Sequence, residues 1–180
     1  MANPRLMFDH SLDAIKGWLP GDFGSLDTEG KLSANVTISH VYEGRVVHKN
    51  DDNEFEMGCT GTQMAVFIRQ NSDDFDVAND GGDEWQAISS RGTMTGLVAT
   101  GGTELASTEY DQDQTYHVND PLRAVASNSN ATTGGRLTNQ GITLGTNAIC
   151  AVVSRVPAKN SHKKWVLTFW PVYCPGQTGQ

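Results

Sequence analysis

Apolar and polar residues alternate in short runs along this chain, and glycine-rich turns separate the runs. Residues 34–42 have a period of two, which is typical of a half-buried strand. Glu43-Gly44 interrupts this pattern, and the sequence RVVHK after it continues as a second strand or beyond a bulge. Residues 63–70, QMAVFIRQ, are a compact apolar run rich in strand formers, which predicts a central strand.

The second half of the chain repeats this pattern in shorter pieces. Residues 88–100 and 103–110 predict two weaker strands around the Gly101-Gly102 turn. Three more predicted strands follow, with the sequences PLRAVAS, GRLTN and AICAVVSR. The last predicted strand is KKWVLTFWPVY, and its Pro171 favours an edge or a bulge because proline donates no ladder hydrogen bond. Seven to nine short strands at this spacing predict an all-β fold, either a small β-barrel or a sandwich.

Residues 1–30 predict an extended N-terminal arm that precedes a β-rich domain over residues 31–180. Three apolar residues of the arm lie near helical spacing and allow one short amphipathic turn before Pro20. The rest is rich in turn formers and favours an extended chain. Because the arm offers few apolar residues to its own core, we expect a neighbouring subunit to order it. Its candidate interface residues are Leu12, Ile15, Trp18 and Leu19.

Composition agrees with one loop-rich β domain. The chain has 180 residues, of which 37% are apolar, and Gly, Asn, Thr and Ser are plentiful. No apolar stretch approaches the ~20 residues of a transmembrane helix, so no membrane partner is expected. Asp9 and Asp13 interrupt the apolar run that a signal peptide needs, which predicts synthesis in the cytosol.

Charge is distributed unevenly. The formal net charge is −8, but residues 121–180 contain six of the 13 Lys and Arg residues and none of the 21 Asp and Glu. The densest acidic part is residues 51–84, with ten acids and one base. This asymmetry predicts either internal pairing of the two parts or a charged contact surface, and separate solvation of both parts stays open. The overall negative charge argues against nucleic acid as a partner.

Candidate chemistry is sparse. The acidic stretch NSDDFDVANDGGDEW holds possible calcium ligands, but Ala78 takes a position where an EF-hand loop needs an oxygen. A solvated acidic loop is therefore favoured, and calcium binding stays open. The possible ligands are Asp74, Asp76, Asp80 and Asp83. The three cysteines, Cys59, Cys150 and Cys174, form no CxxC pair, and we expect buried or idle thiols.

The histidines give one weak catalytic hypothesis. All five are scattered, and neither an HExxH nor a G-x-S-x-G pattern occurs. His117 lies near three aspartates in sequence, Asp111, Asp113 and Asp120, which permits an acid–base cluster. We expect a non-enzymatic protein without a cofactor.

One segment of the chain resembles a known family. NDPLRAVAS, GGRLTN and AICAVVSR, within residues 115–176, resemble the head decoration (cement) proteins of tailed bacteriophages. The continuation WVLTFWPVYCPGQ is similar to the end of many phage virion structural proteins. The resemblance implies a protein made in the host cytoplasm that binds the major capsid protein on the outer surface of the head and stabilises the shell. A trimer or dimer is expected.

The C-terminal aromatic and basic residues are candidates for the contact surface, since aromatic side chains are preferred interface anchors. Coverage of the aromatic side chains by the protein's own two sheets is favoured, and coverage by a neighbouring subunit or the shell stays open. Lys159 and two further lysines are expected to meet acids in residues 51–84 of a neighbouring copy. The alternative function is a tail- or fibre-associated virion protein that binds host glycans. The candidate residues are Lys163, Lys164, Trp165, Phe169 and Trp170.

Overall fold

A computed structural model of the chain describes most of the second half and a smaller part of the first. The described residues are 12–16, 25–36, 41–61, 63–69, 93–99, 104–129, 132–142, 149–161 and 163–172. Within these ranges the protein is all-β and contains no helix, as the alternating pattern predicts.

The described residues form eleven strands. Nine of them have at least four residues, which agrees with the seven to nine expected. The other two have three and two residues. The strands are β1 (Leu12–Lys16), β2 (Ser25–Lys31), β3 (Val46–Lys49), β4 (Phe55–Met57), β5 (Val66–Arg69), β6 (Thr93–Ala99), β7 (Glu104–Ser107), β8 (Pro121–Ala124), β9 (Leu137–Thr138), β10 (Ile149–Lys159) and β11 (Trp165–Pro171).

The strands make two open antiparallel sheets. One has six strands in the order β1-β7-β11-β10-β8-β9, and the other has five in the order β2-β6-β5-β3-β4. Neither sheet closes on itself, so the barrel alternative is wrong and the two-sheet alternative holds. The run at residues 63–70 contains β5, which lies between β6 and β3, and its prediction as a central strand is confirmed.

The main core lies between the two sheets. The five-stranded sheet contributes Val46 and Phe67, whose side chains are at most 1% exposed. The six-stranded sheet contributes Leu105, Leu167 and Phe169. The Phe67 and Phe169 rings stack with their centroids 5.4 Å apart, which joins the sheets at the centre of the core. Burial of both inner faces is what stabilises a two-sheet arrangement.

A second apolar cluster covers the other face of the five-stranded sheet. Val47 and Ile68 belong to it, while their chain neighbours Val46 and Phe67 point into the main core. Strands that are buried on both faces read as continuous apolar runs, which explains the VFI sequence of β5. Val36 and Val41, from the segment before β3, complete this cluster.

The strand predicted at residues 34–42 is described only in part. Residues 34–36 form a turn, so no strand begins there, and residues 37–40 lie outside the described part. β3 begins at Val46, within the second predicted strand RVVHK. Val36 and Val41 are buried because they pack into the second apolar cluster on the outer face of the five-stranded sheet.

The predicted arm also contains strands. Leu12–Lys16 is β1, an edge strand paired with β7, where a helical turn was expected. Ladder pairing with a formed sheet outweighs the weak helical spacing of a few residues. Ser25–Lys31 is extended as predicted and pairs with β6 at the edge of the other sheet. The division into an arm over residues 1–30 and a domain over residues 31–180, and the ordering of the arm by a neighbouring subunit, stay predictions.

Two expectations about β6, β7 and β11 are wrong. The strands on either side of Gly101-Gly102 do not pair, because β6 belongs to the five-stranded sheet and β7 to the six-stranded sheet. β11 is not an edge strand, since it lies between β7 and β10. Pro171 is tolerated because it is the last residue of β11, and the next backbone N–H, that of Val172, donates to the Cys150 carbonyl at 3.0 Å.

Candidate interaction surface

β10 and β11 form a hairpin that is longer than its neighbours. β8 pairs with β10 only over residues 149–152, and β7 pairs with β11 only over residues 167–169. Beyond these residues, within the described part of the chain, the two strands pair only with each other. We call residues 155–166 the projecting hairpin.

Asn160 fixes the turn of the projecting hairpin. Its backbone N–H donates to the Lys164 carbonyl at 2.8 Å, and its carbonyl accepts from the Lys163 N–H at 2.9 Å. Its side-chain oxygen accepts from the Lys164 N–H at 2.9 Å. Lys163 adopts a left-handed conformation with φ 62°. These hydrogen bonds join the described residues on the two sides of the tip and hold Lys163 and Lys164 beside Asn160.

The projecting hairpin is basic and contains no acidic residue. At its base, Arg155 makes a two-point ion pair with Glu104 of β7, with N–O distances of 3.0 and 2.7 Å. The Lys159 ammonium lies 5.6 Å from the centroid of the Trp165 ring, within range of a cation–π contact. Lys159 and Lys163 are exposed. Positive charge and an aromatic surface therefore occur together near the tip.

The C-terminal aromatic residues do not form one cluster. Phe169 is completely buried in the core, so its candidate role as a surface anchor is wrong. Trp165 and Trp170 are 48% and 43% exposed. They lie five residues apart on one strand, where side chains alternate, and thus project from opposite faces. They provide two separate contact points, one near the tip and one opposite Val152 of β10.

The other candidate residues divide between exposed positions and positions outside the described part. Lys163 is exposed and Lys164 is partly exposed. Leu12 and Ile15 belong to β1, and the structure does not describe their side chains. Trp18 and Leu19 lie outside the described residues, as do the possible calcium ligands of residues 74–83.

An acidic turn lies at the edge of the five-stranded sheet. It joins β3 to β4, and its Asp51 and Asp52 are exposed. The Asn50 side-chain oxygen accepts backbone N–H groups of Asp52 and Glu54 at 3.0 and 2.9 Å. This turn belongs to the described part of the acidic segment 51–84, and its charge is opposite to that of the projecting hairpin.

A buried ion pair joins the two sheets and was missed by sequence reasoning. The Arg45 Nε, just before β3, lies 2.7 Å from the Glu109 Oε2, just after β7, and both side chains are at most 2% exposed. Burial lowers the pKa of Arg45, and the Glu109 carboxylate opposes that shift. The Arg136 Nε lies 3.5 Å from the same oxygen. Arg136 and Arg155 of the basic part thus lie beside acids from the first 120 residues, although neither acid belongs to the densest acidic segment, 51–84.

The Gly134-Gly135 turn is needed for this ion pair. The Gly134 carbonyl accepts from the Arg45 side chain at 3.1 Å, and the Gly135 carbonyl accepts from the Val46 N–H at 2.8 Å. Gly135 has φ 74°, and a Cβ there would lie 2.7 Å from the Val46 carbonyl oxygen. Only glycine permits this close approach. The glycine-rich stretch before β9 therefore locks the six-stranded sheet to the five-stranded one.

A polar pocket of about 240 Å³ lies where β3 and β4 meet the residues after β8. Burial acts to raise the pKa of Glu56, but hydrogen bonds from neutral side chains, led by Asn128 and Asn50, hold it below its usual value. The His48 Nδ1 lies 2.8 Å from the Gly58 carbonyl and donates to it. The pocket is lined by His48, Glu56, Met57, Thr60, Gln63, Ala126, Ser127 and Asn128.

Asp111 and Asp120, near His117, stabilise turns by accepting hydrogen bonds. Asp120 accepts the His117 backbone N–H at 2.8 Å and an Asn139 side-chain N–H at 3.1 Å, and the first of these leads in lowering the pKa of Asp120. Asp111 accepts the Asp113 N–H at 3.2 Å in a separate turn. The His117 side chain is 77% exposed and lies 3.7 Å from Asp120. No group of three or more possible metal-ligating side chains occurs among the described residues.

No helix in the described residues is long and apolar enough to cross a membrane.

Comparison with known proteins does not identify the chain. The chain matches no protein-family model, and no curated protein or solved structure shows significant similarity to it.

Proposed function

We propose that this chain is a capsid decoration (cement) protein of a tailed bacteriophage. It binds the outer surface of the head through the major capsid protein and stabilises the shell. It is made in the host cytoplasm, acts on the virion, and uses neither a cofactor nor nucleic acid. The observation that carries the proposal is the projecting hairpin, an ordered basic element that extends beyond its own sheet.

The charge of the hairpin supports attachment to an acidic surface. Three of its basic residues, Lys159, Lys163 and Lys164, lie around one turn whose two sides are joined by backbone hydrogen bonds. Arg155 is already paired with Glu104 and so anchors the hairpin to β7. Complementary charge mainly accelerates and orients association, while the exposed Trp165 ring offers the apolar contact that slows dissociation.

The two-sheet scaffold supports a mechanical role. The Phe67–Phe169 stack and the Arg45–Glu109 pair each join one sheet to the other. A scaffold joined at several points deforms little. It therefore transmits force between the subunits to which it binds. Reinforcement of a shell needs such a rigid clamp and no active site.

A homo-oligomer, either a trimer or a dimer, fits the same surfaces. The acidic turn at Asp51 and Asp52 belongs to the edge of the five-stranded sheet, and the basic hairpin belongs to the six-stranded sheet. A contact from the hairpin of one copy to the acidic turn of the next uses two different surfaces. Such a contact closes into a ring when the rotation between copies permits it.

Co-sedimentation with purified phage shells tests the attachment. We expect the triple variant Lys159→Glu, Lys163→Glu, Lys164→Glu to lose about tenfold or more in affinity, since reversed charges repel the acidic surface. Wild-type binding should weaken between 0.1 M and 1 M salt, as the Debye length falls from about 10 to about 3 Å. Lys31→Glu, an exposed lysine on β2, is the matched control. Equal binding of the triple variant would refute the role of the hairpin.

A second candidate function is binding of host glycans by a tail- or fibre-associated virion protein. The polar pocket favours it, because the Glu56 carboxylate and the Asn128 and Gln63 amides offer the donors and acceptors that a sugar needs. No aromatic side chain lines this pocket, and aromatic rings are the usual platforms for sugars. Calorimetric titration with monosaccharides, with Glu56→Gln as the control, tests it. Saturable binding that Glu56→Gln removes would favour this function over shell attachment.

A further inference from the structure

Two cysteines that are far apart in sequence meet in the main core. Cys59 follows β4 of the five-stranded sheet, and Cys150 is the second residue of β10 in the six-stranded sheet. Each is 2% exposed, each is a free thiol, and both belong to the cluster that fills the space between the sheets. Sequence reasoning saw no pair here because it considered only closely spaced cysteines.

The contacts of the two thiols converge on β8. The Cys150 Sγ lies 3.5 Å from the Leu122 carbonyl oxygen. Gly58, the residue before Cys59, packs against the residue after β8, since a Cβ there would lie 2.3 Å from the Val125 carbonyl oxygen. Both thiols also belong to one buried cluster. The two cysteines therefore approach the same strand from different sheets.

The two thiols differ in acidity. Their mutual hydrogen bond, together with burial, raises the pKa of Cys150 well above its usual value. The same hydrogen bond lowers the pKa of Cys59. Cys59 is thus the more acidic thiol of the two, and Cys150 is the less acidic one. This division of roles matches an attacking and a resolving cysteine.

We propose that Cys59 and Cys150 are an oxidation site that closes into a disulfide bond between the two sheets. The oxidant is a small disulfide such as oxidised glutathione. The proposal does not depend on shell binding. It concerns a chain that folds with both thiols reduced and is cross-linked afterwards, when it meets an oxidising solution.

The reaction has two exchange steps. The Cys59 thiolate attacks one sulfur of the small disulfide, which forms a mixed disulfide and releases one thiolate. The Cys150 sulfur then attacks the Cys59 sulfur, the bond to the small molecule breaks, and a second thiolate leaves. The two protons of the cysteines go to the two leaving thiolates. The protein loses two electrons, and the small disulfide gains them.

The reagent reaches Cys59 through the turn that follows it. Thr60 and Gly61 are exposed, and the Thr60 N–H and hydroxyl both donate to the Gln63 side-chain oxygen, at 2.8 and 3.1 Å. These hydrogen bonds lie at the surface, directly after the buried thiol in the sequence. Local opening of such a turn needs no separation of the sheets, and it sets the rate of oxidation.

Mass spectrometry of the full-length Cys174→Ser variant tests the proposal, because Cys174 then cannot take part. After incubation with oxidised glutathione under native conditions, we expect the intact mass to fall by about 2 Da, for the two hydrogens lost, without a glutathione adduct. Digestion should yield one cross-linked peptide pair containing Cys59 and Cys150. The melting temperature should rise and return after reduction, since a cross-link between distant residues restricts the unfolded chain.

Single-cysteine variants provide the control. Cys150→Ser in the same background should gain one glutathione at Cys59 and no cross-link, and its melting temperature should not rise. Cys59→Ser should react more slowly, because burial still raises the pKa of Cys150 when Cys59 is absent. Two outcomes would overturn the proposal. One is a stable glutathione adduct on the variant that retains both cysteines. The other is two unmodified thiols that remain open to alkylation after oxidation and unfolding.

Discussion

The two sheets share a core but differ at their outer surfaces. The five-stranded sheet is covered on its outer face by a second apolar cluster and presents the acidic turn at its edge. The six-stranded sheet has Trp170 exposed at 43% and continues into the basic hairpin. One sheet therefore uses its apolar residues for internal packing, and the other leaves some of them exposed. Under the proposed function, residues such as Phe67 provide stability and residues such as Trp165 provide attachment.

The largest effect should come from the centre of the shared core. Phe169→Ala removes the ring that stacks on Phe67 and should reduce the free energy of unfolding by about 3–5 kcal/mol. Trp170→Ala, on the same strand but 43% exposed, should cost less than about 1 kcal/mol. Urea denaturation of the free protein measures both. Similar losses for the two variants would erase the distinction between core and surface on β11.

The buried ion pair should come next. Glu109→Gln keeps the side-chain size but leaves the Arg45 guanidinium without its counter-charge in a site that is about 1% exposed. Breaking one partner of such a pair should lower stability by about 3 kcal/mol. Glu104→Gln, whose partner Arg155 is half-exposed, is the matched control and should cost clearly less. Urea denaturation again decides, and equal losses would mean that Glu109 contributes no more than a surface pair.

The smallest expected effect is a pH dependence at Asp120. Hydrogen bonds, first that from the His117 backbone, hold the pKa of Asp120 below its unfolded value of about 3.9. The folded state then binds fewer protons than the unfolded state. The stabilisation is present above the unfolded pKa and is lost as pH falls through the folded pKa. Asp120→Asn should flatten the fall in melting temperature below about pH 4, while Asp113→Asn, on a separate exposed turn, should leave it unchanged.

Much of the fold could be predicted from the sequence, since alternation and apolar runs locate strands such as β5, β10 and β11. Alternation does not show to which sheet a strand belongs. β6 and β7 therefore were predicted as neighbours although they lie in different sheets. It also cannot separate a strand from a buried turn, as Val36 demonstrates.

The site was harder to predict than the strands. The lysines and tryptophans were chosen because they crowd the C-terminal strand, and their role in a contact stays a prediction. Phe169 was a candidate beside them although it is buried, because parity alone does not say which face of β11 is covered. Arg45 and Glu109 are 64 residues apart, so no local pattern announces their contact. A charged residue placed directly before the apolar sequence VV of β3 was the only available signal.

Thermal release of DNA from phage heads tests the central claim most directly. A protein that binds the shell but not its separated subunits must stabilise the shell. The stabilisation is about 2.7 kcal/mol per site when the free concentration is 100 times the dissociation constant. The temperature of disassembly must therefore rise. Shells saturated with the wild-type chain should release DNA at a higher temperature than bare shells. Shells incubated with the same concentration of the Lys159, Lys163 and Lys164 charge-reversal variant should gain clearly less, about 1.4 kcal/mol per site for a tenfold loss of affinity, while Lys31→Glu should protect like the wild type. An unchanged release temperature, with the wild-type chain demonstrably bound, would contradict the account.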